Sequence, residues 1–267
     1  MDTDDRTRGI EQLWSEGDYT EVARWFEPIS DRLIDQLRPA GMHVLDAATG
    51  TGNTALAAAR AGAEVDAFDL TEPLLDIARS RAAAEGLAVR FRTGDLLDVP
   101  YADASFDLVL STFGAFTADD PVRAAEELVR VCRPGGTVVS TAWGREGIIA
   151  TVPQVVRERR PELFPDGAPD PALWAVQAGA EQLFAGCDVD IEVRRVETWF
   201  PFPGRDDLMR TFEAVSGPIR RLRGAVGEDW PVIRAEVIER WAAFERPAEA
   251  GIELLGVHGE AQVVRRS

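Results

Sequence analysis

A chain of 267 residues with 45% apolar and 28% charged side chains is long enough to bury a full core without disulfide or metal staples. Its 46 acids against 29 bases, every base an arginine, leave a formal charge of −17, which argues against a nucleic-acid or membrane-surface binder. Two cysteines, Cys132 and Cys187, cannot build a disulfide framework, no apolar run approaches the ~18 residues of a membrane helix, and Met1-Asp2-Thr3-Asp4-Asp5 is the reverse of a secretory leader, so a soluble, cytoplasmic protein is expected.

Residues 1–40 are expected to be helical: Ile10, Leu13 and Trp14, then Val22, Trp25, Phe26, Ile29, Leu33, Ile34 and Leu37, recur at three- and four-residue spacing until Pro39 and Gly41. Strand and helix then alternate. Strands are predicted at 43–46, 63–69, 88–92, 106–111 and 137–141, and helices at 53–61, 73–85 and 121–132, with Gly86 capping the second helix. Strands separated by helices of this length form right-handed βαβ units and a parallel sheet. After Trp143 the rhythm changes: 145–186 is helical and loop-like with five prolines, 189–200 is a long strand, 206–215 and 230–244 are amphipathic helices, and 256–265 is a last strand.

The central signal is Val44-Leu45-Asp46-Ala47-Ala48-Thr49-Gly50-Thr51-Gly52-Asn53-Thr54-Ala55, a strand running through two glycines into a helix. Glycines there let the backbone approach a ligand closely. The segment from Gly50 to Ala55 fits a dinucleotide fingerprint with Ala at its third glycine, and Asp69 follows at a distance close to the ~20 residues that fingerprint expects. Asp46, four residues before Gly50, weighs the other way. A carboxylate beside the helix N-terminus repels a pyrophosphate and tolerates or favours a ligand bearing an ammonium and a sulfonium.

The Asp-x-x-x-Gly-x-Gly pattern at Asp46, Gly50 and Gly52 resembles the S-adenosylmethionine-dependent methyltransferases of Rossmann-like fold, with Ala48 where that family usually has its first glycine. Further elements are similar in order and spacing. Val65 to Thr71 resembles the family's second strand, with Asp69 as the ribose ligand. Gly94 to Tyr101 resembles its adenine loop, with Asp95 and Leu96 facing the base. Phe106 to Ser111 resembles its fourth strand, and Val131 to Gly136 the turn before its fifth. Trp14 to Tyr19 and Trp143 to Glu146 look like a bacterial small-molecule subgroup related to the ubiquinone and menaquinone biosynthesis methyltransferases. The resemblance implies a seven-stranded, mostly parallel α/β sheet with an antiparallel last strand, helices on both faces and a helical cap. It implies S-adenosylmethionine as cofactor and S-adenosylhomocysteine as product, held by Tyr19, Asp46, Ala48, Thr49, Gly50, Gly52, Asp69, Leu70, Asp95, Leu96, Ser111 and Thr112. The whole chain is expected to be one methyltransferase domain: a lid at 1–40, a cofactor core at 41–143, cap segments at 144–188 and 204–246, and late strands at 189–203 and 256–266.

Ligands of open α/β sheets bind beyond the carboxyl ends of the parallel strands. His43 starts the first strand and sits at the opposite end. His258, at the start of an antiparallel last strand, falls on the ligand side and is the candidate general base; the alternative is a solvent-exposed loop histidine. Aromatics are the candidate acceptor-binding residues: Trp14, Tyr19, Phe113, Phe116, Trp143, Trp174, Trp199 and Phe202. Arg145 and the Arg220-Arg221 pair could hold an acidic acceptor, though paired arginines are usually a solvated face. No metal is expected, and Asp119-Asp120 before Pro121 reads as a helix cap. The expected activity is methyl transfer to an oxygen, nitrogen or carbon atom of a small acceptor, such as a natural-product intermediate, by a monomer or homodimer. A cofactor-bound cyclase and a nicotinamide oxidoreductase are the rival readings.

Overall fold

A computed structural model describes residues 9, 13–14, 19–165 and 167–266. Helix α1 (Tyr19–Leu37) leads into β1 (His43–Ala47), α2 (Asn53–Arg60), β2 (Glu64–Asp69), α3 (Glu72–Glu85), β3 (Val89–Thr93), β4 (Phe106–Thr112), α4 (Pro121–Val131) and β5 (Cys132–Glu146). Then follow α5 (Gly147–Arg159), α6 (Gln177–Leu183), β6 (Val189–Phe202), α7 (Arg205–Val215), α8 (Gly217–Val226), α9 (Trp230–Arg240), β7 (Glu245–Ala248) and β8 (Gly251–Arg265).

The sheet has eight strands in the order β3-β2-β1-β4-β5-β8-β6, with β7 paired to β8 off that path. Pairs β1–β2, β1–β4, β2–β3 and β4–β5 are parallel. Arg265, near the end of β8, donates to the Cys132 carbonyl at the start of β5 (2.6 Å), while Gly256 bridges Gly147 just past the end of β5. These two contacts make β8 antiparallel to β5. The expected mostly parallel sheet with an antiparallel last strand is the one observed; the short β7, a hairpin partner of β8 in register Glu245 to Leu254, is additional. The last strand begins at Gly251, five residues before its predicted start, because Gly251 takes φ +109 at the tight turn from β7.

Local chemistry explains the boundaries. The apolar β1 is buried from Val44 to Ala47, as a central parallel strand must be. Gly86 ends α3 in the left-handed conformation (φ +66). Asp120 caps α4 by accepting the Arg123 N–H at 2.9 Å, with Pro121 in the first helical turn. Between β4 and β5 the register slips, so that Cys132 faces Phe106 but Thr137 faces Leu108, and the Pro134-Gly135-Gly136 turn bulges out between them.

Contacts divide the chain into two compact units. One, the core unit, comprises residues 23–142, 169–195 and 259–267. One face of its sheet packs Leu45, Ala47, Phe68, Val109 and Val138 against α4, Trp174 and Phe184. The other packs Val44, Val65, Leu108, Leu110 and Val139 against Leu33 and Ile34 of α1 and the alanines of α2. The second unit comprises residues 1–22, 143–168 and 196–258 and is mostly helical among its described residues. Trp241 is its central anchor, fully buried, edge-on to Phe212 at 6.0 Å, with its indole N–H donating to the Ile148 carbonyl (3.0 Å).

Candidate active site

The site grows from the turn between β1 and α2. Three alternate positions leave ordinary backbone space: Ala48 at φ +55, Gly50 at φ +55 and Gly52 at φ +87. Gly52 is required twice over, by its dihedral and because a Cβ there would meet the Ala78 methyl of α3 at 3.1 Å. Ala48 holds the same left-handed region with a side chain, a strained choice where glycine is free. The turn closes on itself through Gly52 N–H to the Thr49 carbonyl and Thr49 N–H to the Phe68 carbonyl, both 2.9 Å.

Two buried carboxylates hold this turn. Asp46 is 1% exposed; one of its oxygens accepts from the Thr49 hydroxyl (2.6 Å) and from the Ala55 N–H at the start of α2 (2.9 Å). Asp69, at the end of β2 and 8% exposed, accepts the Gly50 N–H (2.8 Å) on one oxygen and the Thr71 N–H (2.8 Å) on the other. Burial pushes the Asp46 pKa up to about 7; the Thr49 and Ala55 donors work against that rise, and the neighbouring Asp69 charge adds to it. Burial likewise raises Asp69 above the usual carboxylate range, against the opposing donors at Thr71 and Gly50. Neither acid has an ion-pair partner among the described residues. The pair therefore forms a desolvated, acidic patch beside the turn, and donors or a cation brought to its remaining lone pairs would favour the ionised form.

The loop after β3 is braced from α4. Glu127, 1% exposed, accepts the Val99 N–H (2.8 Å), and Arg130 donates to the Val99 and Tyr101 carbonyls, both at 2.9 Å. Within the loop Asp95 accepts the Leu97 N–H (2.9 Å), and Leu96 is buried. Gly94 lets the loop close, since a Cβ there would lie 2.7 Å from the Pro100 ring. The end of β4 is tied to β1 beside it: the Ser111 hydroxyl donates to the Ala47 carbonyl and accepts the Ala115 N–H, both 2.9 Å. Its hydroxyl is thus committed to the backbone, while the buried Thr112 hydroxyl has no hydrogen-bond partner among the described residues. Phe113 follows in the left-handed region (φ +56), its N–H held by the Thr141 hydroxyl (3.0 Å) and its ring 5.4 Å from Phe26 of α1. Gly114 then passes so close to the turn that a Cβ would sit 2.7 Å from the Ala48 methyl.

Asp46, Ala48, Thr49, Gly50, Gly52, Asp69, Leu70, Ser111, Thr112 and Phe113 thus gather at the carboxyl ends of β1, β2 and β4, with the braced Asp95 and Leu96 loop leaving the end of β3. Sequence reasoning missed Gly114, Glu127 and Arg130. Only Glu127 and Arg130 carried a local signal, an acid and a base three apart on one helix. Trp174 and His258 differ from the expectation; the remaining aromatics are given a place, and an acceptor contact by them stays a proposal. Trp174 is 1% exposed and packs edge-on against Phe184 at 5.7 Å, a core tryptophan. Phe116, in the turn Ala115–Thr117, is partly buried against the same core cluster. In the second unit Trp199 is covered by the Arg246 guanidinium, 4.1 Å from its ring centroid, Phe202 is buried, and Trp14 and Trp143 are partly buried. His258 is neither at a strand start nor a loop residue: it lies inside β8, fully buried, edge-on to Trp143 at 5.9 Å. The Tyr19 side chain lies outside the described residues.

A family model described as "Methyltransferase domain" matches residues 44–136, the segment that carries the turn, Asp69, the braced loop and the bulge before β5. An uncharacterized protein of Mycobacterium tuberculosis is 40% identical over 187 residues, 69% of this chain and 68% of that one. A demethylmenaquinone methyltransferase of Thermus thermophilus is 45% identical over 111 residues, 40% of this chain and 50% of that protein. Among solved structures, the YcgJ protein of Bacillus subtilis aligns with a TM-score of 0.62 at 18% identity, over 89% of this chain and 98% of its own. The [4+2]-cyclase SpnF aligns with a TM-score of 0.60 at 18% identity, over 90% and 81% of the two chains. The chain belongs to the S-adenosylmethionine-dependent methyltransferases, and it is an enzyme that takes that cofactor and releases S-adenosylhomocysteine. No described helix is long and apolar enough to cross a membrane.

Proposed function

We propose that the enzyme methylates an oxygen, nitrogen or carbon atom of a small, largely apolar acceptor of natural-product type, using the pocket at the carboxyl ends of β1, β2 and β4. The observation that carries this reading is the pair of buried carboxylates, Asp46 and Asp69, with hydrogen-bond donors around them and no cation partner among the described residues. That acceptor set fits the cofactor: a ribose diol offers hydroxyl donors to Asp69, and an ammonium beside Asp46 would favour its ionised form. The Thr112 hydroxyl is a free partner at the end of β4, and Asp95 and Leu96 offer a polar and an apolar contact for a base. A fit to a pyrophosphate is poor, because two buried acids beneath the α2 N-terminus oppose a second anion.

When bound, the cofactor supplies a methyl group on a sulfonium sulfur, which an acceptor nucleophile displaces in line. The protein's part is orientation and exclusion of water. Phe113, in the left-handed region with its N–H held by Thr141 and its ring against Phe26, is fixed just past the end of β4, where it would help orient a ligand. His258 is given no base role in this reading: it lies inside β8, fully buried, with its ring edge-on to Trp143. In this reading the acceptor brings a nucleophile that ionises readily or loses its proton to water.

The test is turnover with a panel of phenolic, amine and quinol acceptors, reading S-adenosylhomocysteine together with the mass of the product. Equimolar S-adenosylhomocysteine and a product heavier by one methylene support the reading. A transformed product without S-adenosylhomocysteine contradicts it and points to a rearrangement or cyclisation chemistry on the same fold.

A further inference from the structure

One side chain outside the carboxylate pair touches the glycine turn from behind. Arg81, on α3, sends one guanidinium nitrogen to three acceptors: the Thr51 carbonyl at 2.9 Å, the Thr51 hydroxyl at 3.3 Å and the Asn53 side-chain oxygen at 2.7 Å. Its other terminal nitrogen reaches the Glu27 carboxylate on α1 at 2.5 Å. Asn53 in turn donates to the Ala23 carbonyl of α1 (2.7 Å), and Ser30 of α1 meets Thr54 of α2 at 3.0 Å. We propose that Arg81 is a positioning residue of the cofactor site, fixing the turn between Gly50 and Gly52 and coupling that turn to the N-terminal helix, so that cofactor affinity depends on the seating of α1.

The chemistry favours arginine for this task. Four acceptors from three elements converge on one planar cation, which can serve them simultaneously in a fixed fork; an ammonium on a flexible stem cannot hold the same directions. Thr51 lies between the two left-handed glycines, so its peptide orientation sets where the neighbouring N–H groups point. Without Arg81 the Thr51 carbonyl and the Asn53 amide lose their shared donor, Glu27 loses its cation, and the turn is held from one side only, by Asp46 and Asp69.

An internal control separates loop positioning from simple helix stapling. Arg60, at the end of α2, joins the same three helices: it is bidentate to Glu85 of α3 at 2.6 and 2.7 Å and 3.5 Å from Asp31 of α1. It does so at the end of α2 away from the turn. If cross-linking the helices were all that mattered, losing Arg60 or Arg81 would have the same consequence.

The inference rests on the glycine turn being the cofactor site, and calorimetric titration with S-adenosylhomocysteine tests both levels. Arg81→Ala is expected to raise Kd about tenfold, Arg81→Lys by an intermediate factor and Glu27→Gln about threefold, whereas Arg60→Ala stays within about twofold of wild type. Thermal unfolding of each variant is measured alongside, and Arg60→Ala and Glu27→Gln are expected to shift Tm similarly. Arg81→Ala binding like wild type, or Arg60→Ala losing as much affinity, overturns the proposal. If Arg81→Ala does not fold, unchanged affinity in both Arg81→Lys and Glu27→Gln overturns it equally. Wild type that fails to bind S-adenosylhomocysteine overturns the cofactor site as well, whereas wild-type binding with indifferent variants removes Arg81 alone.

Discussion

Toward the amino ends of β1 and β2, Asp66 meets the Arg90 guanidinium through two bonds (3.0 and 2.6 Å) and the His43 ring at 2.7 Å, with Arg90 also bound to Glu64. At the carboxyl ends of the same strands, Asp46 and Asp69 meet only N–H and hydroxyl donors. The consequences for ionisation are opposite. Partial burial pushes Asp66 up, but Arg90 and His43 outweigh it and hold the carboxyl below its ordinary value. Burial dominates at the other end and raises both acids, Asp46 to about 7. A compensated acid closes a sheet end; an uncompensated buried acid keeps it receptive to a ligand, at a cost to the fold. What distinguishes structure from site here is the partner, since the residue type and the strand are the same.

The sharpest way to break this comparison is the pH dependence of the cofactor-free protein. Asp46 has its folded pKa raised, so it supports the fold fully below its unfolded value near 3.8 and loses that support as pH rises toward about 7. Asp66 has its folded pKa lowered, so its support is present above the unfolded value and disappears as pH falls. Asp46→Asn, which retains an acceptor for Thr49 and Ala55, is expected to recover roughly 3 kcal/mol of unfolding free energy at pH 7 relative to pH 4. Denaturant titrations at both values check this; an unchanged pH slope breaks the comparison at its carboxyl end.

Crowding of the two turns is the next lever. Gly114→Ala forces a Cβ to within 2.7 Å of the Ala48 methyl and 2.9 Å of the Ser111 hydroxyl, and is expected to lower stability by about 2–3 kcal/mol in urea unfolding. On the ligand side, Asp69→Ala is expected to weaken S-adenosylhomocysteine binding by on the order of 2 kcal/mol in calorimetry, because the ribose acceptor and the Gly50 and Thr71 anchors are lost together. The smallest effect is a gain. Ala48→Gly relieves the left-handed alanine and, after the entropy of glycine in the unfolded chain, is expected to raise stability by about 0.5 kcal/mol in thermal unfolding.

Features made by neighbours in sequence were legible in the sequence: the strand into the turn at Gly50 and Gly52, Asp69 at the end of its strand, the Gly86 cap and the Asp120 cap before Pro121. Each is a local pattern whose physical cause lies within a few residues. Features made by distant segments were not. The Gly114 approach to Ala48 exists because β4 is laid beside β1, the Glu127 brace exists because α4 returns over the loop after β3, and the Arg81 contacts require α1, α2 and α3 together. The same limit explains the aromatics: Trp174 and Trp199 carry no local mark that separates core packing or a stacked arginine from a pocket wall. His258 moved inside its strand because the β7–β8 hairpin starts at Gly251, a pairing that β7, with Pro247 within four residues, did not announce.

Calorimetric titration of the wild-type protein at pH 7 with S-adenosylmethionine and, separately, with NAD tests most directly whether the uncompensated acids at the carboxyl ends of β1 and β2 make a seat for a cationic cofactor. The account predicts saturable, one-to-one binding of S-adenosylmethionine that weakens in Asp69→Ala, with no heat from NAD. Tight binding of NAD and none of S-adenosylmethionine would contradict it.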